Sequence, residues 1–144
     1  MRYAILYAPS SVQKVLDFIK TIYVFEDFIP VIVKPIGAGA QIGVPEAYKY
    51  AYRIGKPLII LPGLTDLRET LHIINGYYLA PHGEEIEIDE IIKKDHYALI
   101  FTSEGNEPSK KELTGIRIVK VKGIPPELPT PSLAAILLYL IKQH

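Results

Sequence analysis

Apolar residues in this chain fall into short continuous runs that alternate with longer segments of period three to four. The runs cover residues 2–8, 29–33, 57–61, 76–80, 97–101 and 116–121. Most are set off by Pro, Gly or Ser and are apolar on both faces, as in strands buried on both sides. Helical patterns lie between them. Ser10 or Ser11 caps the first, whose Val12, Val15, Leu16, Ile19, Ile22 and Tyr23 recur at three and four. Pro45 opens a second, which runs to about Ile54 with Gly55 just past its end. Thr65 or Asp66 caps a short helix over residues 66–74, another is expected near 88–93, and the last spans 131–142. Residues 35–43 read as a glycine-rich loop, and Pro81-His82-Gly83 as a turn. Strands alternating with helices predict an α/β fold, a mostly parallel sheet with helices on both faces. Without repeats or linkers, residues 1–144 are expected to form a single domain with a substantial core.

The last helix adds a separate expectation. Leu133, Ile136, Leu137, Leu138, Tyr139, Leu140 and Ile141 cover nearly its whole circumference. Such a helix is either packed on all sides or presents an apolar face to a partner, here a second subunit.

Composition narrows the function classes. Lys+Arg and Asp+Glu both number 16, so the net charge is zero. A salt-driven nucleic-acid binder usually carries a basic excess, which leaves room only for a local patch. Cysteine is absent and the four histidines are scattered, which excludes disulfides, thiol nucleophiles and thiolate zinc. No metal is expected. No apolar stretch reaches the roughly 18 residues of a membrane span. Met1-Arg2-Tyr3 leads straight into a strand, so a cytoplasmic protein without signal peptide is expected. One Met, ten Tyr and no Cys fit a thermophile's avoidance of labile side chains.

Two segments in the last third carry candidate chemistry. Thr102-Ser103-Glu104-Gly105 follows an apolar strand at the edge where open α/β sheets bind ligands, and its small residues let backbone approach a ligand closely. Gly123-Ile124-Pro125-Pro126 and Pro129-Thr130-Pro131-Ser132 then stiffen two further loops ahead of the closing helix. In this order the segments resemble the cofactor half of the SpoU-like branch of the SPOUT RNA methyltransferases. That pattern runs strand-Gly-Ser-Glu-Gly, strand-Ile-Pro, then Ser-Leu-Asn-x-Ser and an Ala-rich helix. Glu104-Gly105 matches its Glu-Gly, Gly123-Ile124-Pro125 its second loop, Ser132 its last Ser and Ala134-Ala135 its small helical residues. Thr102 stands for Gly, Thr130 for Asn and Leu128 for the first Ser.

The resemblance implies a small, archaeal-type member with a C-terminal trefoil knot, binding S-adenosylmethionine and acting on RNA as a homodimer through the last helix. The implied cofactor residues are Leu61, Pro62, Gly63, Thr102, Ser103, Glu104, Gly105, Val121, Gly123, Ile124, Thr130, Pro131, Ser132 and Leu133. Lys20 stands where the family's R-T-A-x-A-F-G has its Arg, as Lys20-Thr21-Ile22-Tyr23-Val24-Phe25-Glu26. The family's Asn then falls on Lys14. A shift of one turn puts Ser11-Val12 on Asn-Val and loses the basic residue. Lys20 and Glu104 are therefore the implied catalytic residues, with Lys20 and Gln41 facing substrate. Because Lys lacks the planar fork of Arg, the acceptor differs from a ribose hydroxyl or methyl transfer has been lost. The alternative is a catalytically silent dimer that binds RNA or protein.

Three other readings are weaker. Gly37-Ala38-Gly39-Ala40-Gln41-Ile42-Gly43 misses the G-x-G-x-x-G dinucleotide spacing by one residue and Pro45 delays the helix, so a mobile substrate loop carrying Gln41, or a plain flexible loop, fits better. His82 and Glu84-Glu85 read as scattered surface polar groups. A RecB-like nuclease needs an acidic residue and an acidic-x-Lys pair to hold Mg²⁺ and activate water. The sequence has no Asp-x-Lys or Glu-x-Lys.

Overall fold

Strand β1 (Arg2–Tyr7) lies inside a six-stranded sheet in the computed structural model, which describes residues 1–103 and 105–144. The sheet order is β3-β2-β1-β5-β4-β6, with β2 at Phe28–Val33, β3 at Ile59–Leu61, β4 at Asn75–Ile86, β5 at Tyr97–Thr102 and β6 at Arg117–Val121. All five pairings among the described residues are parallel. The chain first builds outward from β1 through β2 to β3, then crosses back to fill the other side. That reversal puts the β1/β5 boundary at a topological switch point, where parallel sheets open a crevice beyond their carboxyl ends.

Alternating side chains divide between two layers. Ala4 and Leu6 of β1, with Leu99 and Phe101 of β5, pack under α1 (Val12–Val24), α2 (Val44–Ile54), α4 (Ile88–Ile92) and α5 (Thr130–Gln143). Tyr3, Ile5 and Tyr7 face the other way, onto Leu64, Leu67, Ile73 and Leu113 around the short α3 (Asp66–Glu69). Helix α1 starts where Ser11 Oγ accepts the Lys14 N–H at 3.1 Å, and it buries Val15, Phe18, Ile19, Ile22 and Tyr23. In α5, Ala134, Leu137, Leu138 and Ile141 are buried, while Ile136 is 40% and Tyr139 56% exposed. The helix therefore keeps an apolar outer face.

Three local expectations change. Residues 39–43 are a π-helical turn that leads directly into α2, not a loop. A Cβ on Gly39 would lie 2.3 Å from the Pro9 carbonyl oxygen, and one on Gly43 would lie 3.2 Å from Val15. These glycines let the segment close on α1 and on the turn before it. Helix α3 stops at Glu69 rather than near Ile74, and His72 follows in a left-handed conformation at φ 56°. Finally, Pro81-His82-Gly83 is no terminal turn. Strand β4 bulges there, so that Leu79 and Glu84 both oppose Val119, and pairing then resumes to Ile86. Gly83 passes so near that a Cβ would sit 2.6 Å from the Val119 backbone.

Candidate functional site

The loop after β5 is tied to its neighbours by hydrogen bonds that the small polar residues make possible. Ala8 ends β1 in a left-handed conformation, φ 51°. Its carbonyl accepts from Ser103 Oγ and from Asn106 Nδ2, each at 3.2 Å. Ser103 is buried, and its hydroxyl is satisfied by that bond. Thr102 Oγ1 donates to the Asn106 carbonyl at 2.8 Å, folding the loop back on itself. Thr130 Oγ1, at the start of α5, donates to the Thr102 carbonyl at 2.5 Å. Loop and closing helix are thus locked together.

Beside this lock lies a cleft of about 310 Å³. Leu79, Phe101 and Leu133 give it an apolar floor. Thr102, Ser103 and Gly105 form one wall and residues 126–130 the other, with Glu107 and Glu127 contributing carboxylates. Pro81 enters from the β4 bulge. Among the described residues, the backbone N–H of Glu127 donates to no protein acceptor, while that of Leu128 closes a turn over residues 126–127. Helix α5 also begins here without a side-chain cap, leaving first-turn donors free. Val121 and Ile124 are buried behind the floor, where they share Leu79, Pro126 and Leu133 with it, and Gly123 makes their turn at φ 90°. A second cavity of about 210 Å³ shares Ser103, Pro129 and Thr130 with the first and adds Leu6, Phe18, Pro131 and Lys14.

The sequence-derived site residues therefore separate into groups. Thr102, Ser103, Gly105, Thr130 and Leu133 line the main cleft, Val121 and Ile124 back it, and Pro131 lines the adjoining cavity. Glu104 lies outside the described residues. Ser132 is exposed on α5 and lines neither space. Leu61 ends β3 at the far edge and Pro62 and Gly63 follow it, three strand spacings or about 14 Å from β5. Leu79 and Pro81 of β4, the strand that adjoins β5, take the place expected for them. Lys20 does not reach the cleft: its ammonium lies 5.2 Å from the Tyr50 ring centroid on α2. The basic residue of α1 that lines the adjoining cavity is Lys14, about 9 Å nearer the helix start. Gln41 is exposed and lines neither space.

A cluster that sequence reasoning did not find sits on the opposite face of the sheet. Tyr7 donates a hydrogen bond to Glu112 Oε2, and Lys34 Nζ lies 3.7 Å from the same oxygen. Burial, then the bond and the charge of Glu112, raise the Tyr7 phenol far above its ordinary range. Burial also opposes ionisation of Glu112, but bonds from Tyr7 and Ser109 and the charge of Lys34 outweigh it and hold its carboxyl below the usual value. Ser109 and Glu112 cap each other, side chain to backbone, at 3.1 and 3.2 Å. The Ser-x-x-Glu spacing of a capping box was the available signal.

Among the described residues, no three His, Asp or Glu side chains converge as a metal site. No helix among them is long and apolar enough to cross a membrane.

Comparison with known proteins adds two findings. The family described as RecB-family nuclease (DUF2122) matches residues 37–140, and the chain belongs to that family. A protein of Aeropyrum pernix, provisionally named type II restriction enzyme ApeKORF2002P, is 29% identical over 95% of this chain and 90% of its own length. The fold, in contrast, is that of SpoU-type RNA methyltransferases. A chain solved for structural insights into the 2-OH methylation of C/U34 on tRNA superposes with TM-score 0.73 at 15% identity, covering 99% of this chain and 95% of that one. The SpoU methyltransferase AviRb from Streptomyces viridochromogenes, in complex with the cofactor AdoMet, gives 0.70 at 13% identity over 98% of this chain and 59% of that one.

Proposed function

We propose that this member of the family is an S-adenosylmethionine-binding methyltransferase of SPOUT type that acts on RNA. The carrying observation is the cleft at the β5 and α5 loops, closed by the Thr130–Thr102 bond. Its parts suit the cofactor: an apolar floor for adenine, carboxylates of Glu107 and Glu127 for hydroxyl and amino groups, and the free N–H groups of Glu127 and of the first turn of α5 for a carboxylate. When bound, the cofactor supplies an electrophilic methyl group. The chain's contribution is to orient it and exclude water, with the rigid loops supplying the proximity on which such transfers depend. Lys14 beside the adjoining cavity replaces Lys20 as the cation facing the acceptor. A C-terminal knot through these loops and a homodimer through Ile136 and Tyr139 of α5 complete the reading.

The family description and the Aeropyrum relative's name favour a second reading, a Mg²⁺-dependent nuclease. The missing acidic-x-Lys pair weighs against it, and among the described residues no three His, Asp or Glu side chains come together.

Isothermal titration with S-adenosylmethionine tests the first reading. Micromolar binding by the native chain, lost in Gly105→Trp, supports it; Gly105 lines the cleft, and because its φ of 82° strains any side chain, thermal unfolding first confirms that the variant is folded. A folded, dimeric protein that binds no cofactor leaves the silent RNA- or protein-binding module. A monomer at micromolar concentration by sedimentation removes the dimer.

A further inference from the structure

Helix α2 carries an exposed surface that the cofactor site does not use. Tyr52 is 90% and Tyr48 48% exposed, four residues apart on one flank of the outer face. Arg53 forms the other flank, and Lys49 lies between them. Across the seam with α1, Lys20 sits 5.2 Å and Arg53 5.4 Å from the centroid of Tyr50, whose ring in turn stacks on Tyr23 at 6.2 Å. Lys20, Arg53 and Lys56 enter no ion pair among the described residues, and only Lys49 is compensated, by Glu46. In a chain of zero net charge this is a concentrated positive patch with exposed aromatic rings.

From this we infer that the outer face of α2 is a single-stranded RNA platform. Bases stack on Tyr52 and Tyr48, while Arg53, Lys20 and Lys56 neutralise the phosphates between them. Stacking accepts every base because each has a π-face, and the cations supply the salt-dependent share of affinity. The platform holds a stretch of the substrate away from the acceptor site. The inference rests on the RNA part of the reading above, and its test separates the two.

The experiment is fluorescence anisotropy with a short fluorescein-labelled oligouridylate at several salt concentrations, alongside the S-adenosylmethionine titration on the same proteins. Tyr52→Ala is expected to weaken RNA binding about tenfold, Tyr52→Phe to leave it unchanged, and Arg53→Gln to flatten the log–log salt slope by about 0.7. All three keep cofactor affinity, because none of these residues lines the cleft. RNA binding that Tyr52→Ala and Arg53→Gln leave untouched overturns the platform and spares the enzyme. So does cofactor binding without any RNA binding. A change of sedimentation coefficient in Tyr52→Ala, with RNA affinity unchanged, makes the face a protein contact and also overturns it. RNA binding that follows the predicted pattern without cofactor binding supports the platform and sinks the methyltransferase.

Discussion

Thr130 Oγ1 donates to the carbonyl of Thr102 at 2.5 Å, joining residues that are 28 positions apart. The bond fixes the distance between the β5 loop and the first turn of α5, the two walls of the cleft. In Thr130→Val the shape is kept and the donor removed, leaving a half-buried carbonyl without its partner. Stability is expected to fall by about 1 kcal/mol, and S-adenosylmethionine affinity about tenfold, as the walls drift. Thermal unfolding and isothermal titration read the two effects separately. Unchanged affinity with lowered stability would make the bond purely structural.

Gly83→Ala is expected to be the most damaging single-methyl change in the chain's second half. The new Cβ would stand 2.6 Å from the Val119 backbone nitrogen and carbonyl carbon, which are held in the β4–β6 ladder and cannot swing aside. A loss above about 3 kcal/mol follows, in the range of severe overpacking. Gly63→Ala meets nothing closer than 3.8 Å and serves as the tolerated comparison. Urea unfolding of both proteins is the check.

Acid should weaken the fold through Glu112. Its carboxyl is held below the ordinary value in the folded state, so it stabilises above the usual carboxylate range, and that contribution is lost as pH falls through the lowered value. Alkali acts through the tyrosines. Burial pushes Tyr23, Tyr78 and Tyr97 up to about 12 and Tyr7 higher still, so stability should decline once pH exceeds the ordinary phenol value near 10. Glu112→Gln should flatten the acid limb of a stability–pH curve and leave most of the alkaline limb intact.

Purified protein incubated with plasmid DNA and Mg²⁺ is expected to leave it uncut. Cleavage that disappears on replacing one acidic residue would instead vindicate the nuclease named by the family description, and agarose electrophoresis decides between them.

Much of the architecture was legible because strands buried on both faces write continuous apolar runs, and α1 repeats its apolar positions at three and four. Sheet order was not. Nothing local in Leu61-Pro62-Gly63 tells that β3 lies at the far edge, or that β4 delivers Leu79 and Pro81 to the cleft instead. The alignment put Lys20 on the family's Arg and Lys14 on its Asn, yet only Lys14 lies beside the adjoining cavity. The glycines at 39 and 43 suggested a loose loop because propensity is a local property; their reason is the nearness of Pro9 and Val15, which only the tertiary structure supplies.

The central position of β1 also bears on how the chain is made. Its flank toward β2 is satisfied early, but its other edge waits for β5, as the 95-residue separation of Ala8 and Ser103 records. During synthesis an apolar strand therefore stands with one side unpaired until most of the polypeptide has emerged, and the cleft waits longer still, for α5. Contacts this remote make folding slow and leave nascent edges open to wrong partners. A ribosome stalled after residue 96 would release a polypeptide that chaperones must hold, because no shorter product can seal its own sheet.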